Sequence, residues 1–373
     1  MKIYLDYMAN TPIDEIVLNE FNKTYTDFYA NPNSLHDLGY LAKEEMDKCT
    51  QQILNMLDLQ DYELIYTSGA SESNNLATKG IARSYRQDGK HIISTYLEHS
   101  SLSASLTFLQ TQGYEIELVN IDRNGRVDLE HLKELLRKDT VLVSISYVDS
   151  ELGILQPIDE IKEILKDYPN CFFHTDATQA IGKTKLNFKD IDLITFTPHK
   201  FYGLNSSGVL IKKKEIILEP IINGGKSTTI YRSGTPDLPM AKAMLKALNL
   251  AISNFEKRLE IVSVINEKIR NAMEKYDLVT INSTKYSIPY TLNISVKGIK
   301  ATFFQEELNK KGVYISTKSA CDVKNTPSRA VFAVSKDRKN ALSSFRLSFS
   351  HLTTLDEIEQ FLLIFDEIYK KLT

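Results

Sequence analysis

The sequence predicts an α/β protein with a large, mixed but mostly parallel sheet covered by helices, and a smaller α+β unit at the C-terminal end. Two observations predict the first part. Short apolar runs recur between residues 91 and 213, and amphipathic helical stretches separate the earlier ones. Strand–helix alternation of this kind buries a parallel sheet between helix layers. A third observation predicts the second part: past residue 276, strand-like and helical segments mix, and the chain closes on a strongly amphipathic helix.

The strand candidates are HIISTY at 91–96, TVLVSISYV at 140–148, CFFHTD at 171–176, DLITFT at 192–197 and SGVLIKK at 207–213. VDLEHLKELLRK at 127–138 and PIDEIKEILKDY at 157–168 carry helical spacing. One long helical pattern runs from Pro239 to Tyr276, and TLNISVKG, GVYIST and SSFRLSFS follow as strands. In the last segment Leu355, Ile358, Phe361, Leu362, Phe365, Ile368, Tyr369 and Leu372 form one stripe, and Thr354 with Glu357 spells a capping box. The expected division is a large domain over 14–256 and a small one built from 1–13 and 257–373.

At 373 residues the chain is long enough for two domains and a substantial core. A net charge of −3 gives no global pull toward nucleic acid or lipid. No apolar run approaches the roughly 20 residues needed to cross a bilayer, and the first residues lack the apolar core of a signal peptide. Cys49, Cys171 and Cys321 are far apart with no CxxC pair, which argues against disulfides and structural zinc and for a reducing, cytoplasmic compartment. No metal site is expected.

Residues 67–75, TSGASESNN, place a Gly turn before a helix, a ready anion site in which Ala70 and Ser71 offer amides. A plain Ser-capped helix is the alternative. GGKST at 224–228 imitates the end of a P-loop, but the Gly required five residues earlier is Pro220.

HTDATQAIG at 174–182 puts Asp176 at the end of an apolar strand, and TFTPHKFYG at 195–203 puts His199 and Lys200 just after the next one. Ligands of parallel α/β sheets bind beyond the strand C-termini. A lysine there can hold an aldehyde cofactor as a Schiff base, and a carboxylate can pair with its pyridine nitrogen. Lys200 and Asp176 suit these tasks; His99 can stack on the ring, and Gln179 can donate to the ring hydroxyl. Taken singly, Asp176 could cap a helix, His99 could be a half-buried structural histidine and Lys200 a surface lysine.

In order along the chain, IYLDYMANTP, ANPNSLH, TSGASESNN, YLEHS, ELGILQPI, HTDATQAIG, TPHKFYG, YRSGTPD, STKSAC and SSFRLSFSHLTT resemble the cysteine desulfurases of the NifS/IscS type. These belong to the class V aminotransferase group of fold-type I pyridoxal-phosphate enzymes. The resemblance implies pyridoxal 5'-phosphate on Lys200, Asp176 at the ring nitrogen, His99 stacked, and Gln179 at the ring hydroxyl. It implies Ala70, Ser71, Thr197 and His199 on the phosphate, with Thr235 reaching it from the second subunit of a homodimer. Asn31 and Arg346 would grip the carboxylate of L-cysteine, for which an Arg fork is suited; a structural salt bridge is the alternative for Arg346. Cys321 would carry the persulfide, in a polar, turn-rich stretch with Lys318 and Lys324 nearby. Read from composition alone, a free cysteine is a packing residue, and Cys49 and Cys171 read so.

The chain departs from the family at Ser150, where an Asn is usual near the cofactor, at Lys318 for Gly and at Thr197 for Ser, and it lacks the Gln-Glu-Arg run after Gly225. The CDVKNTPS stretch and Ser150 resemble a branch linked to tRNA thiolation through a 4-thiouridine synthase, beside the wider family's iron–sulfur scaffolds as sulfur acceptors. Rival readings are a selenocysteine lyase or other class V lyase, a thiol hydrolase using Cys321 with His199, and a non-enzymatic scaffold of the same fold.

Overall fold

The computed structural model describes residues 2–317 and 326–373. Its strands are β1 (Ile3–Tyr4), β2 (Tyr62–Thr67), β3 (His91–Ser94), β4 (Glu115–Leu118), β5 (Thr140–Ser144), β6 (Phe172–Asp176), β7 (Leu193–Phe196), β8 (Gly208–Lys213), β9 (Val279–Ile281), β10 (Thr291–Val296), β11 (Val313–Tyr314) and β12 (Ser344–Ser348). Its helices are α1 (Glu15–Asp27), α2 (Asp37–Met56), α3 (Ala70–Ser84), α4 (Ser100–Thr111), α5 (Leu129–Leu135), α6 (Ile158–Leu165), α7 (Leu238–Ser253), α8 (Phe255–Met273), α9 (Ala301–Lys310), α10 (Arg329–Ser335), α11 (Arg338–Ser343) and α12 (Leu355–Leu372).

The large sheet runs in the order β2-β8-β7-β6-β5-β3-β4. Only β8 is antiparallel to its neighbours; the other pairings are parallel. The central strands β5, β7 and β8 are mostly apolar because both faces are covered. Leu142, Leu193 and Leu210 join the core under α3 and α4. Their neighbours Val143, Ile194, Val209 and Ile211 face the opposite way, into the core that includes Met244 and Leu248 of α7. This is the period-two alternation of a strand buried on both sides.

A second, three-stranded antiparallel sheet, β12-β10-β9, packs on an aromatic core. Phe304 of α9 stacks on Phe345 of β12 at 5.1 Å and meets Phe365 of α12 at 5.2 Å. The Thr354–Glu357 capping box forms as the sequence predicts. β1 pairs in parallel with β11, so the N-terminus joins the C-terminal strands.

The single helix expected from Pro239 to Tyr276 is in fact two, α7 and α8, meeting at Asn254. The Asn254 side chain donates to the Leu250 carbonyl at 2.9 Å, the local competition by which Asn ends helices. Among the described residues, no helix is long and apolar enough to cross a membrane.

Candidate active site

Beyond the C-terminal ends of β3, β5, β6 and β7 lies a cavity of about 400 Å³. One wall is the start of α3. Its N-cap is Gly69, at φ 153°, with no side-chain cap. The Ser-capped alternative is therefore not what forms, and the first-turn amides of Ala70 and Ser71 are left for an anion. β8 presses directly on this turn: a Cβ at Gly208 would stand 2.6 Å from the Gly69 carbonyl carbon and 3.0 Å from the Ala70 nitrogen. Glu72 braces the turn, accepting from Ser68 N at 2.7 Å and pairing with Arg232 Nε at 2.9 Å.

Thr197 and His199 line the same end. The Thr197 hydroxyl donates to Ser207 O at 2.6 Å, so its oxygen is an acceptor for His199 Nδ1–H at 2.9 Å. Burial, with Lys200 and Lys183 nearby, pushes His199 down to about 4. The neutral ring thus leaves Nε2 without a proton, and an anion beside it would draw one on.

Asp176 closes β6 and lines the cavity floor. Asn74 Nδ2 donates to Asp176 Oδ2 at 2.7 Å and Thr178 N to Oδ1 at 3.0 Å. The latter is a local turn bond rather than the cap of a helix. Behind it, His174 is wedged between Ser144 Oγ (2.7 Å) and Thr195 Oγ1 (3.0 Å), tying β5, β6 and β7 together. Lys200, on a 3-10 turn after β7, donates to Met8 O at 3.1 Å and also to Ala9 O. Gln179 Nε2 donates to Met8 O at 3.0 Å. His99 is the N-cap of α4, its Nδ1 accepting from Ser101 N at 3.2 Å.

Arg346 of β12 completes the cavity. Nη1 donates to Ser150 O and Nη2 to Asp6 Oδ1, both at 2.7 Å, while Nε is buried without a partner among the described residues. The salt bridge expected as an alternative exists, and it leaves part of the guanidinium uncommitted. Thr178 Oγ1 is a second buried cavity-lining atom lacking a partner among the described residues.

Two residues singled out in the sequence lie elsewhere. Asn31 is exposed, its Oδ1 accepting from Asn33 N. Thr235 lines a neighbouring cavity of about 210 Å³ that shares Ser68 with the main one. Cys321, Lys318 and Lys324 fall outside the described residues. Cys49 and Cys171 are buried. Burial raises both thiols, Cys49 to about 12, so neither is a nucleophile at neutral pH. Sequence reasoning missed Asp6, which pairs with Arg346 across the chain, and the buried Glu98 and Lys183.

An anion cradle, a carboxylate and an amine lining one cavity fit a phosphorylated, aldehyde-bearing pyridine ring. The two orphaned buried polar atoms supply further contacts for a bound molecule. Residues 3–361 match the Aminotransferase class-V family model. The chain belongs to the class V aminotransferases. That family implies pyridoxal 5'-phosphate as cofactor. Among class V aminotransferases, the chain is 37 % identical to a NifS/IcsS protein homolog of Lactobacillus delbrueckii subsp. bulgaricus, covering 99 % of this chain and 97 % of the relative. It is 32 % identical to the cysteine desulfurase IscS of Dictyoglomus turgidum, covering 100 % and 95 %. A solved NifS-like protein superposes with a TM-score of 0.93 over 100 % of both chains at 29 % identity.

Proposed function

We propose that this class V aminotransferase is a cysteine desulfurase: L-cysteine and the Cys321 thiol give L-alanine and a Cys321 persulfide. The observation that carries the reading is one cavity holding Lys200, Asp176, His99 and a partly uncommitted Arg346. The desulfurase named among its relatives supports it.

When bound, pyridoxal 5'-phosphate supplies a sink for the electron pair left as the Cα proton departs. Ala70, Ser71, Thr197 and His199 hold its phosphate, with Thr235 added across a homodimer interface. Asp176 would face the ring nitrogen, and Gln179 would donate to the ring oxygen. Ser150, which sits in the cavity wall, is a further contact. Lys200 anchors the cofactor, then takes the Cα proton. His99, in the cavity wall, would lie against the cofactor and move protons beside the substrate. Arg346, with Asn31, fixes the substrate carboxylate. The Cys321 thiolate forms an S–S bond to the substrate sulfur as its bond to Cβ breaks. The electron pair of that bond stays with the carbon skeleton, which regains protons to leave as alanine.

The described flank of the cysteine stretch supports the assigned nucleophile. Ser316, five residues before Cys321 in sequence, is bridged to Arg346, which lines the cavity. The persulfide then passes to an acceptor protein in the cytoplasm, either a tRNA 4-thiouridine synthase or an iron–sulfur scaffold. Adding each purified acceptor to the cofactor-loaded enzyme with L-cysteine tests this: the true acceptor raises alanine output and gains the sulfur. A higher rate with selenocysteine and none with cysteine would replace the reading with a selenocysteine lyase.

A further inference from the structure

Lys183 is buried at 6 % exposure, two turns of chain past Asp176, in a protein whose other lysines mostly face water. Its Nζ donates to Gln179 Oε1 at 2.7 Å. Gln179 is itself buried, and its Nε2 donates to Met8 O, the carbonyl that also accepts from Lys200. A small void lined by Met8, Lys183 and Lys200 lies behind the catalytic cavity. An amide has two ends of opposite character, and an unsupported glutamine can present either one. With a donor fixed on Oε1, the nitrogen end must face Met8 and the cavity.

We infer that Lys183 is a positioning residue: it locks the Gln179 amide with its N–H groups toward the cofactor ring, and through it sets the proton equilibrium of the bound cofactor. The inference rests on the cofactor role proposed for Gln179. Burial, with Lys200 and Arg346 adding like charge, holds Lys183 well below the usual lysine range. A neutral amine keeps its N–H donors, so the lock does not require a buried charge.

A donor on the ring oxygen draws off the charge that would otherwise hold the neighbouring proton, so losing it raises the pH midpoint of the visible absorption band. The test compares band midpoint and cofactor dissociation for wild type, Lys183→Met, Lys183→Gln, Gln179→Ala and the Gln179→Ala/Lys183→Met double variant. Lys183→Met is expected to raise the midpoint in the direction of Gln179→Ala and to weaken cofactor retention on the order of tenfold. The double variant should move no further than Gln179→Ala, and Lys183→Gln, which keeps a donor, should stay near wild type. An unshifted midpoint in Lys183→Met, or shifts that add in the double variant, overturns the inference. Should Lys183→Met not fold, a Lys183→Gln midpoint matching that of Gln179→Ala would overturn it equally. A wild-type protein with no band at all would instead overturn the cofactor reading beneath it.

Discussion

Ser316 and Arg346 exchange backbone hydrogen bonds, Arg346 N to Ser316 O at 2.6 Å and Ser316 N to Arg346 O at 3.3 Å. The strand that carries the proposed carboxylate-binding arginine is thereby tied to the chain five residues before Cys321. On the far side, Ser328 caps α10 and its hydroxyl meets Glu151, next to Ser150. Both described flanks of the cysteine stretch are thus anchored beside the cavity.

Arg346→Lys should raise the KM for L-cysteine roughly 10- to 100-fold, because a lysine cannot serve Asp6, Ser150 O and a carboxylate at once. The absorption band should be unchanged. Steady-state kinetics check this; a lost band with unchanged KM would assign Arg346 to the cofactor instead.

Cys321→Ser should keep the cofactor band and lose sulfide release from L-cysteine. Mass spectrometry of the wild type after a single turnover should find one added sulfur on Cys321. Full turnover in Cys321→Ser would remove it as nucleophile.

Gly208→Ala should weaken cofactor binding on the order of tenfold or more, since the added methyl would strike the Gly69–Ala70 turn and overpacking displaces backbone. Binding titration of the apo protein reads the effect. An unchanged dissociation constant would separate that turn from the phosphate site.

Glu98, beside His99, is buried and accepts from Ser146 N (3.1 Å) and Thr95 Oγ1 (2.8 Å). Burial raises it from 4.5 to about 7 despite those donors, and Asp176 adds to the rise. Between those values the unfolded chain has released a proton that the folded one retains. The group's contribution is therefore full below pH 4.5 and is lost as pH rises through 7, at about 1.4 kcal/mol per pH unit. Glu98→Gln removes this dependence, so its stability relative to wild type should climb by roughly 3 kcal/mol across that window. Urea unfolding at a series of pH values measures it; parallel curves would contradict the assignment.

Much of this was legible because the relevant signals are local. The apolar runs that became β5 to β8, the Gly turn at 69 and the capping box at Thr354 each sit within a few residues of chain. The break at Asn254 was not legible, since α7 and α8 share one continuous periodicity and a single side-chain bond divides them. The supporting partners were hidden for another reason: Asp6 meets Arg346 across 340 residues, and Lys183 resembles a surface lysine until burial is known. Thr235 reads as a phosphate ligand only by resemblance, and the chain itself places it in the neighbouring cavity.

The most direct test is alanine formation from L-cysteine by the cofactor-loaded protein, with a reductant to clear the persulfide. Alanine in step with sulfide, abolished in both Lys200→Ala and Cys321→Ser, is the predicted result. A protein that carries its cofactor yet yields no alanine with any acceptor would contradict the desulfurase account.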